Sequence, residues 1–228
     1  TRPEMKVERV SYEVMTPSAA RGALQAVFWK PEFDWHIQKI TVCKPIRWMS
    51  FRRNEVKGVL VPSGSEHESF IEDDRTQRNT VALRDVDYVV EAFFELKSPE
   101  ISGSNSVAKY VDQFLRRMRR GQFFHAPCFG CREFAAQLSL AEEDAVPHGE
   151  LKDVNRPLGW MFFDFDWETY TQENPKLAKD PDAKIKNPPQ PLFFEARLDN
   201  GVLHVPPIHE VKARMAQMKS MRAGEVRP

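Results

Sequence analysis

The sequence predicts an α+β fold: a ferredoxin-like core followed by a β-rich C-terminal subdomain. Three observations point there. Two stretches, 17–28 and 106–120, repeat apolar residues at helical spacing. Runs rich in β-branched and aromatic residues lie between and after them. Up to about residue 140 the order is helix, strand, strand, helix, strand, and one strand ahead of residue 16 would complete β-α-β-β-α-β. That strand is expected from "KVERVSYEV" or from chain ahead of Thr1. The expected division is a core over 1–140 and a smaller strand-rich subdomain with a basic tail over 141–228.

Each element has a local reason. Thr16-Pro17 pairs an N-cap residue with Pro at the first helical position. Ala20, Ala23, Leu24, Val27 and Phe28 then recur on one side, and Lys30-Pro31 stops the helix because the residue before Pro avoids the α region. Arg21, Gln25 and Phe28 share a flank. Trp35, Ile37, Ile40, Val42, Ile46 and Trp48 make residues 35–49 strand-like, with Pro45 marking an edge or a bulge. "FRRNEVKG" reads as a basic turn, and the polar stretch 62–80 as a long loop. "VDYVVEAFFELK" is a strand and "SPEISGSNS" a linker. In the second helix the expected apolar stripe is Val107, Val111, Phe114 or Leu115, and Met118, with Gly121 as the C-terminal cap. "CREFAAQLSL" and "LGWMFFDFDW" read as strands, with acidic, irregular chain between them. "PLFFEARLDNGVLHVPP" reads as a hairpin turning at Asn200-Gly201. A Pro- and Lys-rich loop is expected over 171–191, and a short basic helix or a tail after residue 208.

The charge is segregated. Lys plus Arg and Asp plus Glu balance at 33 each. Yet the second helix carries Lys109, Arg116, Arg117, Arg119 and Arg120 against the single acid Asp112. Lys109, Arg116 and Arg120 fall at i, i+7 and i+11, on one face. Four arginines in the last turns suit the negative end of the helix dipole, and arginine grips phosphate with two parallel hydrogen bonds. A nucleic-acid contact is the expectation. No apolar run nears the ~20 residues that span a bilayer, so no membrane partner is expected. The three cysteines and the absence of a signal-peptide pattern lead to an expectation of a cytoplasmic protein.

Other chemical signals are weaker. Cys128 and Cys131 lack a second pair, and in an extended segment they would point to opposite faces, so no metal is expected there. Asp164 and Asp166 at i, i+2 are read as the polar face of a half-buried strand in preference to a Mg²⁺ site. His36 and His125 are scattered. No P-loop, dinucleotide fingerprint or serine-nucleophile motif is present.

Six blocks come in an order that resembles a known family: "RGALQAVFWKP" (21–31), "KPIRWMSFRRNEV" (44–56), "LRDVDYVVEAFFEL" (83–96), "AKYVDQFLRRMRRGQ" (108–122), "GCREF" (130–134) and "PLFFEARLDNGVL" (191–203). Together they resemble the CRISPR-associated RAMP proteins of type I-C systems, the "d" or "c" branch of the fifth Cas group. The resemblance covers the chain from Thr1 to about Val205. It implies an RRM-related RAMP core. It implies an endoribonuclease that binds CRISPR repeat RNA, cuts it without a metal or other cofactor, and stays on the 5′ handle of the mature crRNA among other interference-complex subunits. Relatives place an aromatic or His residue in the "xWKP" block and a Lys-His pair at the start of the second helix. Those positions here are Phe28, Lys109 and Tyr110, so Phe28 has no proton to move and Tyr110 stands where His is usual. Lys109 and Tyr110 are therefore the expected catalytic residues, with Lys109 steadying a charged phosphorane. Neighbouring cations are expected to lower the Tyr110 pKa. Arg21, Phe28, Arg47, Arg52, Arg53, Arg116, Arg117 and Arg120 are the expected RNA contacts. Two alternatives stand beside this reading: a non-catalytic handle-binding subunit, and a double-stranded DNA-binding or DNA-cutting role drawing on the same arginines and on Asp164 and Asp166.

Overall fold

A computed structural model describes residues 1–5, 7–57, 71–97, 107–141, 144, 146–174 and 188–225. The chain folds into two compact units. One joins 1–14 with 46–86; the other joins 15–45 with residue 87 onward. The fold is mixed α+β.

The first unit is a three-stranded sheet in the order β1-β4-β3, formed by β1 (Arg9–Val10), β3 (Arg47–Val56) and β4 (Arg75–Arg84). A four-residue helix, α2 (Ile71–Asp74), leads into β4. β3 and β4 pair antiparallel over ten residues, from Arg47 opposite Arg84 to Val56 opposite Arg75. Side chains alternate between half-buried and exposed along β3, as a strand with one covered face requires. The strand expected over 35–49 thus breaks near Pro45, and "FRRNEVKG" supplies the second half of β3 instead of a turn. Residues 75–80, expected in a loop, are strand because the β3 partner satisfies their backbone; residues 62–70 lie outside the described part.

β1 comes from the expected segment, but it pairs with β4 in parallel, Arg9 opposite Thr80. It therefore does not supply the strand missing from the β-α-β-β-α-β order.

The second unit is a five-stranded sheet in the order β5-β2-β8-β7-β6. It comprises β2 (Phe33–Val42), β5 (Tyr88–Leu96), β6 (Asn155–Phe165), β7 (Pro191–Asp199) and β8 (Val202–His204). β2 and β5 pair antiparallel along their whole length. β8 attaches to β2 through Ile40 opposite Leu203. The strands after residue 140 therefore extend the sheet of β2 and β5. The boundary expected at 140/141 does not coincide with the division into units. The physical reason is the β7–β8 hairpin. Its two-residue turn places Asn200 at φ 50° and Gly201 at φ 77°, the left-handed pair that matches strand twist, and so presents β8 to β2.

α1 (Pro17–Val27) starts as expected, the Thr16 hydroxyl accepting from the Ala19 N–H at 3.3 Å. α3 (Val107–Arg119) packs with α1 on one sheet face. Val27 and Phe28 from the end of α1, Phe33 and Trp35 from β2, and Tyr110 from α3 form a buried cluster; Phe94 and Leu96 of β5 and Phe114 and Met118 of α3 pack against it. The buried stripe of α3 keeps the expected Phe114 and Met118 but differs from the expected one in its first turns. Val107 and Val111 are exposed, and the larger Tyr110 ring faces inward in their place. The buried Trp35 indole N–H donates to the Phe28 carbonyl at 3.0 Å.

The expected strand 131–140 is not formed. Local bonds fold this segment on itself, Phe129 N–H to the Phe134 carbonyl and Ala136 N–H to the Pro127 carbonyl, both 2.9 Å. The "DFDW" strand ends at Phe165, and Asp166 instead caps α4 (Trp167–Glu173), a helix the sequence reading missed. The C-terminal segment is the helix α5 (Ile208–Glu225). It rests on the β7 face bearing Phe193 and Glu195, through Met215 and Arg214. The "SPEISGSNS" linker falls outside the described residues, as do 175–187 of the expected Pro- and Lys-rich loop. Among the described residues no helix is long and apolar enough to cross a membrane.

Candidate nucleic-acid interface

α3 is amphipathic with a strongly basic outer side. Lys109, Arg116, Arg119 and Arg120 are all exposed. Among the described residues no acid forms an ion pair with Arg116, Arg119 or Arg120. Asp112, one turn before Arg116, does not close the pair that its spacing allows. The charge of these three arginines is thus unanswered by acids among the described residues, and the carbonyl end of the helix offsets part of their mutual repulsion.

The helix stops by a defined geometry. Gly121 sits at φ 60°, where a side chain is disfavoured. Its N–H donates to the Met118 carbonyl at 3.1 Å, and the Gln122 N–H donates to the Arg117 carbonyl at 2.9 Å. This is the Schellman pattern of a glycine cap. The chain then reverses, and the Phe124 N–H donates to the Ala26 carbonyl at 2.7 Å, tying the end of α3 to the end of α1. Arg117 reinforces that tie. It donates to the Val27 carbonyl at 2.9 Å, and its guanidinium lies 5.2 Å from the Phe28 ring centroid.

Besides Arg117, two expected contacts have other partners. Arg21 forms a two-point pair with Asp164, Nε to Oδ2 at 2.6 Å and Nη2 to Oδ1 at 2.9 Å, and donates to Gln25 at 2.9 Å. It ties α1 to β6, so its charge is answered within the protein. Phe28 is 1% exposed, within the aromatic cluster, where no base can stack on it.

Asp166 also has a partner. It takes Lys212 at 2.9 Å and caps α4 through Thr169. Burial alone would raise its carboxyl pKa, but hydrogen bonds from Lys212 and Thr169 outweigh burial and hold it below the ordinary value. Asp164 and Asp166 therefore serve two separate ion pairs. The acids on which a DNA-cutting role drew do not form a joint site.

Tyr110 departs most from its expected setting. Its side chain is 3% exposed. Its ring lies 5.3 Å from Phe33 and 6.1 Å from Phe28, centroid to centroid, and its hydroxyl has no hydrogen-bond partner. Burial first, and the Glu32 carboxylate second, raise its pKa above the ordinary value. The lowering expected from neighbouring cations is reversed because the ring points into the apolar cluster. Lys109, one residue earlier, is exposed.

Arg47, Arg52 and Arg53 lie on β3 in the other unit. Alternation puts Arg47 and Arg53 on one face and Arg52 on the other. Arg53 stands opposite Arg78 and Arg47 opposite Arg84. Glu55 answers part of this charge, 3.2 Å from Arg9 and 3.4 Å from Arg78. The sequence reading missed Arg75 and Arg78 because it placed them in a loop, and it did not single out Arg84; only strand pairing gathers the three beside the β3 arginines. His36 stacks on Phe93 at 5.1 Å and lies 3.7 Å from Glu95, while His125 meets the edge of Phe124 at 5.8 Å. Among the described residues no three His, Cys, Asp or Glu side chains come together as a metal site.

Comparison with known proteins agrees with this architecture. The chain is 44% identical over 227 residues to a protein of Mannheimia succiniciproducens named "CRISPR pre-crRNA endoribonuclease Cas5d", covering 93% of this chain and 92% of the relative. It is 40% identical over 209 residues to a protein of Thermus thermophilus bearing the same name, covering 90% and 86%. A solved structure described as a CRISPR-associated protein shares the fold at a TM-score of 0.59 and 21% identity, over 89% of this chain and 84% of that one. The structure of the Streptococcus mutans protein SMU1763c, described as functionally uncharacterized, matches at 0.56 and 21% identity, over 91% and 86%. The family model described as "CRISPR-associated protein (Cas_Cas5)" matches residues 1–206, and the chain belongs to that family, in its Cas5d branch.

Proposed function

We propose that this protein is an endoribonuclease that binds the repeat RNA of CRISPR precursor transcripts and cuts it, the activity for which its two relatives are named. The observation that carries the RNA contact is the α3 face: Arg116, Arg119 and Arg120 are exposed and have no acidic partner among the described residues. We read β2, β5, α1 and α3 as the RAMP-type core that presents this face. The basic β3–β4 ribbon, with Arg47, Arg52 and Arg53, adds further phosphate contacts. After cutting, the protein holds the 5′ handle as a subunit of the interference complex.

The chemistry assigned is attack by the RNA 2′-OH on the adjacent phosphate, leaving a 2′,3′-cyclic phosphate and a 5′-OH, with no metal required. Lys109, exposed in the first turn of α3, is the cation that stabilises the phosphorane. Tyr110 is the general acid for the leaving 5′ oxygen, a role that requires the aromatic cluster around its buried hydroxyl to open when RNA binds. Its raised pKa keeps it protonated at neutral pH, which suits an acid and not a base. Its hydroxyl has no partner among the described residues, and catalytic hydrogen bonds are often completed only when substrate arrives. The test is single-turnover cleavage of labelled repeat RNA in EDTA, wild type against Lys109→Ala. The variant is expected to bind and to cut roughly 10²–10³-fold more slowly, the usual cost of one charge-stabilising donor. Cutting at the wild-type rate would remove Lys109 from the chemistry.

A further inference from the structure

A cleft of about 410 Å³ opens where the C-terminal ends of α1 and α3 meet the segment after Gly121. Its walls include Val27, Met118, Leu138, Phe123, Arg117 and Gln137. A second recess shares Arg117 and Phe123 with it and has Phe124 on its far side. Phe123 is thus a common wall of two adjacent recesses. It is 54% exposed and Phe124 86%, an apolar surface cost that the fold itself does not require.

We propose that this cleft takes one unpaired, unstacked base of the repeat RNA, with Phe123 as its stacking platform. The inference rests on the RNA-binding reading above and deepens it by assigning where a base is held. Three features select this occupant. Apolar walls with a projecting aromatic ring suit the π-face of a heterocycle, and single-stranded RNA is recognised by stacking its splayed bases on aromatic side chains. Gln122 and Gln137 are among the residues that line the cleft, and a glutamine amide carries the mixed donor and acceptor groups that a base edge presents. Arg117 is fixed by the Val27 carbonyl and the Phe28 ring at the cleft wall, with exposed Arg116, Arg119 and Arg120 on the same last turns of α3. That surround favours a polyanion whose phosphates flank the inserted base, over an apolar peptide.

The geometry is also set in advance. The Schellman turn at Gly121 and the bond from Phe124 N–H to the Ala26 carbonyl fix the backbone on both sides of Phe123. Stacking therefore requires little ordering of the loop on binding.

The test uses the full chain and fluorescently labelled repeat RNA with single-stranded flanks. Phe123→Ala is expected to weaken binding roughly 5- to 100-fold, the range for loss of one stacked base, with the salt dependence unchanged. Phe123→Trp is expected to bind like wild type. A scan with single abasic nucleotides should find one unpaired position whose loss costs as much as Phe123→Ala, and the two losses should not add. Thermal unfolding of both variants should match wild type, because Phe123 is a surface residue. Wild-type affinity in Phe123→Ala, or losses that add at every abasic position, would overturn the base-pocket assignment and leave the proposed function standing. A wild-type protein that fails to bind repeat RNA would overturn both.

Discussion

Replacing Tyr110 with Phe removes one oxygen and leaves the ring in place. In the structure that oxygen is buried without a partner, while the ring keeps its contacts with Phe33, Phe28 and Phe94. An unsatisfied buried polar group costs about 1–3 kcal/mol. In a chain of this size 1 kcal/mol moves the melting temperature by roughly 2–4 °C, so Tyr110→Phe is expected to melt about 2–12 °C above wild type. Function should move the other way. Loss of a general acid costs about 10²–10⁴ in rate, so single-turnover cleavage should collapse while RNA affinity holds. A stabilised variant that no longer cuts is the signature of a group kept for chemistry at the expense of stability. A fall in melting temperature would show that the hydroxyl is bonded in the folded protein, refuting the orphan account. Unchanged cleavage would remove Tyr110 from proton transfer.

Three further predictions follow from the ion pairs and the basic face. Arg21→Ala should cost about 1.5–3 kcal/mol in urea unfolding through loss of its two-point bond to Asp164, and RNA affinity should change less than about twofold; intact stability with reduced affinity would return Arg21 to the RNA interface. Removing Arg116, Arg119 and Arg120 together should flatten the log–log salt dependence of RNA binding by about 2, at roughly 0.7 per single-strand phosphate contact; an unchanged slope would mean that this face does not meet the RNA. Asp166→Asn keeps a capping oxygen and loses the charge facing Lys212, so it should cost about 1–2 kcal/mol at neutral pH. Because the folded-state pKa of Asp166 lies below its unfolded value of 3.8, that contribution is complete above 3.8 and is lost as pH falls through the lower folded value. The stability gap between wild type and variant, read by urea unfolding, should therefore close in acid; a gap independent of pH would assign the loss to packing.

What the sequence made legible was whatever local chemistry determines. Thr16-Pro17 announced α1, Asn200-Gly201 announced the β7–β8 turn, and Gly121 announced the end of α3, because each depends on a few adjacent residues. The basic face of α3 was readable from spacing alone. What depended on distant pairing was not. β4 alternates polar residues on both sides of Arg75–Thr80, so its strand character comes from β3, not from its own composition. β1 is two residues long, and nothing in "KVERVSYEV" says that it joins β4. Arg21 and Asp164 are 143 residues apart, so their pairing was invisible to a reading that placed Arg21 on the RNA. In α3 the spacing gives Phe114 and Met118 correctly but not the first turns, where Tyr110 is buried in place of Val107 and Val111 because the aromatic cluster around Phe33 favours the larger ring.

Cleavage of repeat RNA by the RNA's own 2′-OH, as proposed above, leaves chemically distinct product ends. The most direct measurement is single-turnover incubation of end-labelled repeat RNA with excess protein in EDTA, followed by analysis of the product termini. One cut is expected, with a 2′,3′-cyclic phosphate on the upstream fragment and a 5′-OH on the downstream one, and no product when the nucleotide before the cut carries a 2′-deoxyribose. RNA left whole with and without Mg²⁺, or cutting that needs Mg²⁺ and leaves a 3′-OH, would contradict it.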